Sequence, residues 1–369
     1  MSLIRIKTAK SLFALPKASV IALGTLLCVS TLATVQTSTV EARNTDGISS
    51  IALSPDGAVL FAGGSNLVVY KLDPETLKVV SRHWIKHKSI KMEVSSDGKY
   101  LMIQDYHDVV RVYDAKTMKL KKKLRRAKRF AYAKQANKIV TATYSYEYKE
   151  KTYYTIVRVI NGETFKEEKK FRVKGQVSDM VPDAMATKIS VVTRAIKTPE
   201  EKKEDATSDM SYSERSEFQQ KHDEKTSEHI VINVADGKET RTVSWYSFWG
   251  EAYMVRSKDG VAILPASTRG GVFMKDAGGS TFISTGDNSQ YGALYEIEEK
   301  RAIVGTSNAL AVKTDDDEEV TEFKLKKLPN YDYPDNIIKG KDTYFASTRQ
   351  FRVIRFDPIE GVEKIAPIY

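Results

Sequence analysis

Three of the five histidines in this chain lie close together in sequence: His83 and His87 in the segment HWIKH, and His107 between Asp105 and Asp108. Imidazole is the side chain that titrates near neutrality, and beside carboxylates it can ligate zinc or pass protons. HWIKH has Trp84 where a zinc-protease helix places its glutamate, and nothing around it reads as a helix. For His83, His87 and His107 a polar site is therefore the lesser expectation, and no metal or cofactor is expected.

A second feature is electrostatic. Lys116 to Arg129 holds nine cations in fourteen residues and no acid. Such a run makes a strong local field for phosphate or carboxylate. Arg125, Arg126, Lys128 and Arg129 are expected past the end of a strand, in a link free to meet a ligand. The competing reading is a solvated outer strand whose lysines keep a sheet edge from pairing with a neighbour.

Trp245-Tyr246-Ser247-Phe248-Trp249-Gly250 holds two of the three tryptophans. Trp245, Tyr246 and Trp249 could present flat apolar surface to a sugar ring or anchor a protein partner, or could pack inward. Tyr144, Tyr146, Tyr148, Tyr153 and Tyr154 form another aromatic group. Aromatics interleaved with cations suit anionic polymers, and alternating tyrosines are also ordinary strand residues. The acidic run Asp315 to Glu319 lacks the glycine and downstream glutamate of an EF-hand loop and reads as a solvated turn. There is no Gly-x-Ser-x-Gly elbow and no phosphate-cradling glycine loop.

The elements that must position these residues begin after residue 42. Arg5, Lys7, Lys10 and Lys17 precede an uncharged apolar run from Ala18 to about Ala33, and Val40-Glu41-Ala42 suits a signal peptidase. Residues 1–42 are read as a secretory signal cleaved after Ala42, which makes the protein secreted or extracytoplasmic. An N-terminal membrane anchor is the alternative, and membrane association is expected only if the segment stays uncleaved. Cys28, the single cysteine, lies within that run behind Leu27, which argues against lipid attachment and leaves the rest of the chain without disulfides. Residues 1–42 carry four bases and one acid, so the formal charge of +10 falls to +7 without them. Wall polymers, lipid headgroups and acidic proteins are the fitting partners outside the cell, and nucleic acid is not expected there.

Residues 43–369 repeat. Turn markers at Asp56, Asp97, Ala136, Asp183, Asp259, Glu299 and Gly340 are spaced 41, 39, 47, 76, 40 and 41 apart. The outlier contains a polar insertion, residues 197–228, with ten acids against six bases. Each unit offers four short alternating segments between turns, and helical periodicity is confined to a weak signal in the insertion. The expected fold is all-β: a seven-bladed β-propeller of four-stranded antiparallel blades, with the insertion as a loop of blade 4.

The third-strand pattern VRVYDAKT, VVYKLDPET and VRVINGET resembles that of WD-repeat and YVTN-type propellers from about Gly47 to Tyr369, although the Trp-Asp dipeptide is absent from every blade. The resemblance implies architecture and leaves function open, because such propellers include scaffolds, surface-binding proteins and sugar-lactone hydrolases. It also implies that links between blades and turns between second and third strands gather on one binding face. The leading expectation is a non-enzymatic protein that binds an anionic or carbohydrate-bearing envelope component, or a protein partner, through that face. A lactonase-type hydrolase and an architectural part of an envelope complex are the alternatives.

Overall fold

Two turn chemistries punctuate the chain and set where strands begin and end. In the first, Ser54 Oγ donates to Asp56, Asp56 Oδ1 accepts from the Ala58 N–H at 3.0 Å, and Gly57 supplies φ +74°. Ser95, Asp97 and Gly98 repeat it, with Gly98 at φ +71°. Glycine fits because a side chain is strained at positive φ.

In the second, the acid or Asn of the repeated pattern accepts from the residue three places on. Asp73 Oδ1 holds Thr76 N and Oγ1 at 2.7 Å, Asp114 Oδ1 holds Thr117 N and Oγ1 at 2.8 Å, and Asn161 Oδ1 holds Thr164 N at 2.9 Å. The following residue, Leu77, Met118 or Phe165, closes the turn at φ 55–56°. Its N–H returns to the carbonyl four residues back.

The computed structural model describes residues 47–194, 227–243, 252–256, 261–265, 271–276, 279–284, 292–296, 299–314, 319–326 and 332–368. The expected signal segment, nearly all of the insertion, Trp245 to Trp249 and residues 315–318 lie outside the described residues. The chain separates into two units, residues 1–36 and 37–369, and every described residue belongs to the second. Among the described residues there is no helix, hence none long and apolar enough to cross a membrane.

The described residues form 28 strands. The first sheet is β1 (Ile48–Leu53), β2 (Leu60–Gly64), β3 (Val68–Leu72) and β4 (Val79–Trp84). The second is β5 (Lys91–Val94), β6 (Tyr100–Gln104), β7 (Val109–Asp114) and β8 (Leu120–Arg125). The third is β9 (Arg129–Ala133), β10 (Lys138–Glu147), β11 (Thr152–Asn161) and β12 (Glu167–Lys174). The fourth is β13 (Gln176–Pro182), β14 (Lys188–Arg194), β15 (Ser227–Asn233) and β16 (Glu239–Val243).

Two hairpins follow, β17 (Ala252–Arg256) with β18 (Val261–Pro265), and β19 (Gly271–Asp276) with β20 (Gly279–Ser284). Then come a sheet of β21 (Ala293–Glu296), β22 (Arg301–Thr306), β23 (Ala309–Thr314) and β24 (Thr321–Lys324), and a last one of β25 (Pro334–Lys339), β26 (Tyr344–Thr348), β27 (Arg352–Asp357) and β28 (Gly361–Pro367). The architecture is all-β with six four-stranded antiparallel sheets, each in chain order. The fifth repeat, expected as one four-stranded blade, is the pair of hairpins.

Within a sheet, burial falls from the first strand to the fourth: β1 and β2 are buried almost throughout, whereas β4 alternates and β8 buries only Leu124. First strands of neighbouring sheets lie side by side, β1 next to both β5 and β25, and β13 next to β9 and β17. Facing sheets share apolar cores. Leu101 and Ile103 meet Phe61 and Val69 between the first and second, and Phe130 meets Val112 between the second and third. Val157 meets Ile189 between the third and fourth, and Leu310 meets Phe356 between the two C-terminal sheets.

A further core joins the ends of the described chain. Ile48, Ile51 and Leu60 of the first sheet pack with Phe345, Val353 and Ile368 of the last. Each such side chain contributes roughly 1.5–3 kcal/mol through burial. The backbones also approach closely there. Gly47 has φ +89°, and a Cβ on it would lie 2.2 Å from the Arg349 carbonyl oxygen, so no other residue fits.

Candidate functional site

In the first three sheets and in that of β21–β24, main-chain hydrogen bonds tie the second-to-third-strand connection to the segment leaving the fourth strand of the same sheet. Ile85 N–H donates to Leu67 O (2.9 Å), Ala127 N–H to Asp108 O (2.8 Å), Gly175 N–H to Tyr153 O (2.8 Å) and Leu325 N–H to Asn308 O (2.7 Å). Turns and links therefore meet at one end of every such sheet. Functional side chains sit most often on loops held this way.

On this face, where the first sheet hands over to the second, lies a cleft of about 530 Å³ lined by Leu67, Lys86, His87, Lys88, Tyr106, His107 and Arg111. That volume falls within the range of small-molecule sites. The β4–β5 link supplies Lys86, His87 and Lys88, and the β6–β7 turn supplies Tyr106 and His107.

Asp105 organises the turn from beneath. Fully buried, it accepts from the main-chain N–H groups of His107 (2.8 Å) and Val109 (3.2 Å), while Asp108 takes φ 56° to complete the bend. Its other oxygen pairs with Arg111 at 2.6 Å. The guanidinium is thus held at the cleft with its charge already countered.

His87 is 8% exposed. Its Nε2 lies 2.7 Å from Tyr113 Oη and its Nδ1 has no hydrogen-bond partner. Burial, followed by the Arg111 charge, lowers the imidazole to about 4; Asp105 opposes this, as does the Lys88 main chain, which does not reach hydrogen-bond geometry. Burial pushes Tyr113 up to about 12. Both groups are therefore neutral at pH 7.

Lys86 and Lys88 are exposed and make no ion pair among the described residues, and Lys88 Nζ stands 5.5 Å from the Tyr106 ring centre. The cleft lining contains no carboxylate. Two ammonium groups, a countered guanidinium and imidazole nitrogens suit an anion. His87 and His107 thus come together, while His83 stands apart on β4, its Nε2 3.0 Å from Ser81 Oγ, lowered by burial and then by Lys71. Among the described residues no cluster of His, Asp or Glu is placed to hold a metal.

The cation run divides. Arg125 ends β8 in register with Val109, and Arg129 opens β9 opposite Ala142, so the link is residues 126–128 rather than 125–129. Arg125 and Arg126 are exposed, Arg126 at φ 58°. Lys128 Nζ lies 4.2 Å over the Tyr144 ring. Arg129 Nε donates to Ser178 O at 2.6 Å, bridging the third and fourth sheets. Lys121, Lys122 and Lys123 lie on the exposed outer strand β8, next to solvent, as an edge requires.

The tyrosines occupy the long β10–β11 hairpin. Tyr153 meets Tyr144 and Tyr146 edge-on, with ring centres 5.6 and 5.0 Å apart, and Tyr148 projects 83% exposed at its tip. Arg172 stacks on Tyr154 at 3.7 Å. Trp245, Tyr246 and Trp249 lie outside the described residues.

No family model matches the chain, and no curated protein matches it either. Among solved structures it is similar to hydrazine synthase of Kuenenia stuttgartiensis, at 13% identity over 86% of this chain and 78% of that one, with a TM-score of 0.43. A likeness of that degree carries no argument about chemistry. The resemblance to WD-repeat and YVTN-type propellers thus stands on the repeat pattern alone.

Sequence reasoning singled out His87 and His107 but not Lys86, Lys88, Tyr106, Arg111 or Tyr113. The one available signal was the Asp105-Tyr106-His107-Asp108 turn, whose carboxylate had to hold main-chain N–H groups.

Proposed function

We propose that this chain is an exported, non-enzymatic seven-bladed β-propeller that recognises an anionic, phosphate- or glycan-bearing component of the cell envelope through its link-and-turn face. The two hairpins β17–β20 serve as its fifth blade, and the packing of Ile51 and Leu60 on Phe345 and Val353 supports closure of the ring without a borrowed strand. The basic and apolar segments before Ala42 support export.

One observation carries the binding reading. The cleft on this face is lined by cations and imidazoles and no carboxylate, with Arg125 exposed at the end of β8 and Arg126 exposed in the link that follows. Among the described residues the imidazole paired with a hydroxyl there, His87 with Tyr113, is buried together with it, which suits positioning of a ligand better than attack on one.

The test is retention of the purified chain on immobilised polyphosphate and on a neutral glucan, at low and at high salt. Exposed charges are screened over roughly 8–10 Å at physiological ionic strength. The expected result is retention on polyphosphate that falls at least tenfold at high salt and falls further in Arg125→Ala/Arg126→Ala. Equal, salt-independent retention on both supports would overturn the anionic reading, and retention on neither would overturn the binding face.

A further inference from the structure

From the geometry around His87 we infer that the cleft between the first two sheets is a phosphate-ester site, in which His87 Nδ1, Lys86 and Lys88 hold the phosphoryl group and Tyr106 faces a sugar-sized organic part. The inference rests on the reading of this face as anion-binding, and it names the ligand class.

The first step is the proton inventory. The Tyr113 hydroxyl is buried beside a single hydrogen-bond partner, His87 Nε2. A neutral imidazole carries one proton. If it sat on Nε2, both the tyrosine proton and Nδ1 would be unsatisfied. With Tyr113 donating to Nε2, the imidazole proton resides on Nδ1 and a single buried donor remains unmet. Such a donor is costly to the fold until an acceptor reaches it. Buried against His87, Tyr113 therefore fixes a buried donor on a residue that lines the cleft.

The second step is charge geometry. A planar carboxylate is best met by a guanidinium fork in the open, whereas Arg111, the one arginine in the cleft lining, has one amino group taken by Asp105 and its Nε buried. What remains are two ammonium groups on flexible stems and one N–H, which act as point donors and suit a tetrahedral oxyanion. The third step is size: a volume of about 530 Å³ exceeds what a bare phosphate fills. The Tyr106 ring, 44% exposed, offers a flat face for the rest of the ligand.

The experiment titrates the purified chain with a hexose phosphate, inorganic phosphate, the free hexose and citrate, by calorimetry and by ¹⁵N NMR of histidine-labelled protein. Saturable binding of hexose phosphate is expected, with inorganic phosphate weaker and the free hexose and citrate inert. The His87 Nδ1 resonance should move and that of His83 should not. Lys88→Ala and Lys86→Ala should each weaken binding about fivefold, and His87→Phe about tenfold.

An unmoved His87 resonance would mean that Nδ1 serves only water, and would overturn the site even if His87→Phe fails to fold. Citrate binding as tightly as the phosphates would overturn the choice of phosphate. Arg125→Ala/Arg126→Ala should leave hexose-phosphate affinity within twofold while lowering polymer retention. Hexose phosphate binding at His87 without polymer retention would retain the cleft and reject the wider face; polymer retention with an unmoved His87 would do the reverse.

Discussion

Among the described residues, two of the places that bury polar groups between neighbouring sheets are finished differently. Between β21–β24 and β25–β28, Glu296 is 1% exposed and both of its oxygens are fully used. Oε1 accepts from Lys339 Nζ and from Tyr344 Oη at 2.7 Å, and Oε2 accepts from Arg301 Nε at 2.7 Å. Arg301 also donates to Tyr344 Oη at 2.9 Å, closing the network. Burial and Glu296 push Tyr344 up to about 12, and although burial disfavours the Lys339 ammonium, Glu296 outweighs it and raises that group too.

Between the first two sheets Asp105 is likewise fully used, but His87 Nδ1 and Arg111 Nε are each left without a hydrogen-bond partner. A buried network that is fully met rigidifies a fold, whereas one left open is costly or awaits a partner. The first region is architecture, and the second borders a solvent-open cleft.

Breaking the closed network should have the largest effect. Glu296→Gln leaves Arg301 partly buried without its carboxylate and Lys339 with only the exposed Glu299, and should cost about 3 kcal/mol in urea unfolding, because removing one partner strands the others. A loss below about 1 kcal/mol would show that water reaches the cluster and would erase the contrast.

The open side should reveal itself through pH. In the folded chain His87 titrates near 4, against about 6.5 when unfolded, so below 6.5 the unfolded state takes up a proton that the folded state refuses. Stability attributable to His87 is therefore intact above 6.5 and lost as pH falls toward 4, by up to about 3 kcal/mol. Unfolding of His87→Phe, measured alongside the parent from pH 7 to 4, should lack that component. Parallel curves would mean that the imidazole is not desolvated as the structure has it.

The smallest effect should come from Arg125→Ala/Arg126→Ala. Both residues are exposed, so stability should change by no more than about 0.5 kcal/mol per site while polymer retention falls. A large loss of stability would reassign them to architecture, alongside Arg129.

Much of the fold was legible because its punctuation is local. Ser54, Asp56 and Gly57 satisfy one another within a few residues, as do Asp73 and Thr76, so the turns could be read from spacing. Alternation then placed the strands between them. What spacing could not carry is contact across sheets. Arg129 reaches the carbonyl of Ser178, 49 residues away, and Tyr113 reaches His87, 26 away. Arg125 to Arg129 therefore read as a link past the strand, though the register of β8 and β9 assigns its two ends to strands. The same limit applies to the cleft: His87 and His107 were visible as residues, but the fold-back of residues 85–90 onto Leu67 that brings them together was not.

The most direct test is thermal unfolding of the parent chain, Lys88→Ala and Glu296→Gln with and without millimolar hexose phosphate. A ligand that binds only the folded state stabilises by RT ln(1 + [L]/Kd), about 2.7 kcal/mol at a hundredfold excess over Kd. The account predicts that Tm rises in the parent, that the rise persists in Glu296→Gln despite its lower starting Tm, and that it shrinks or disappears in Lys88→Ala. An equal rise in all three, or none in the parent, would contradict it.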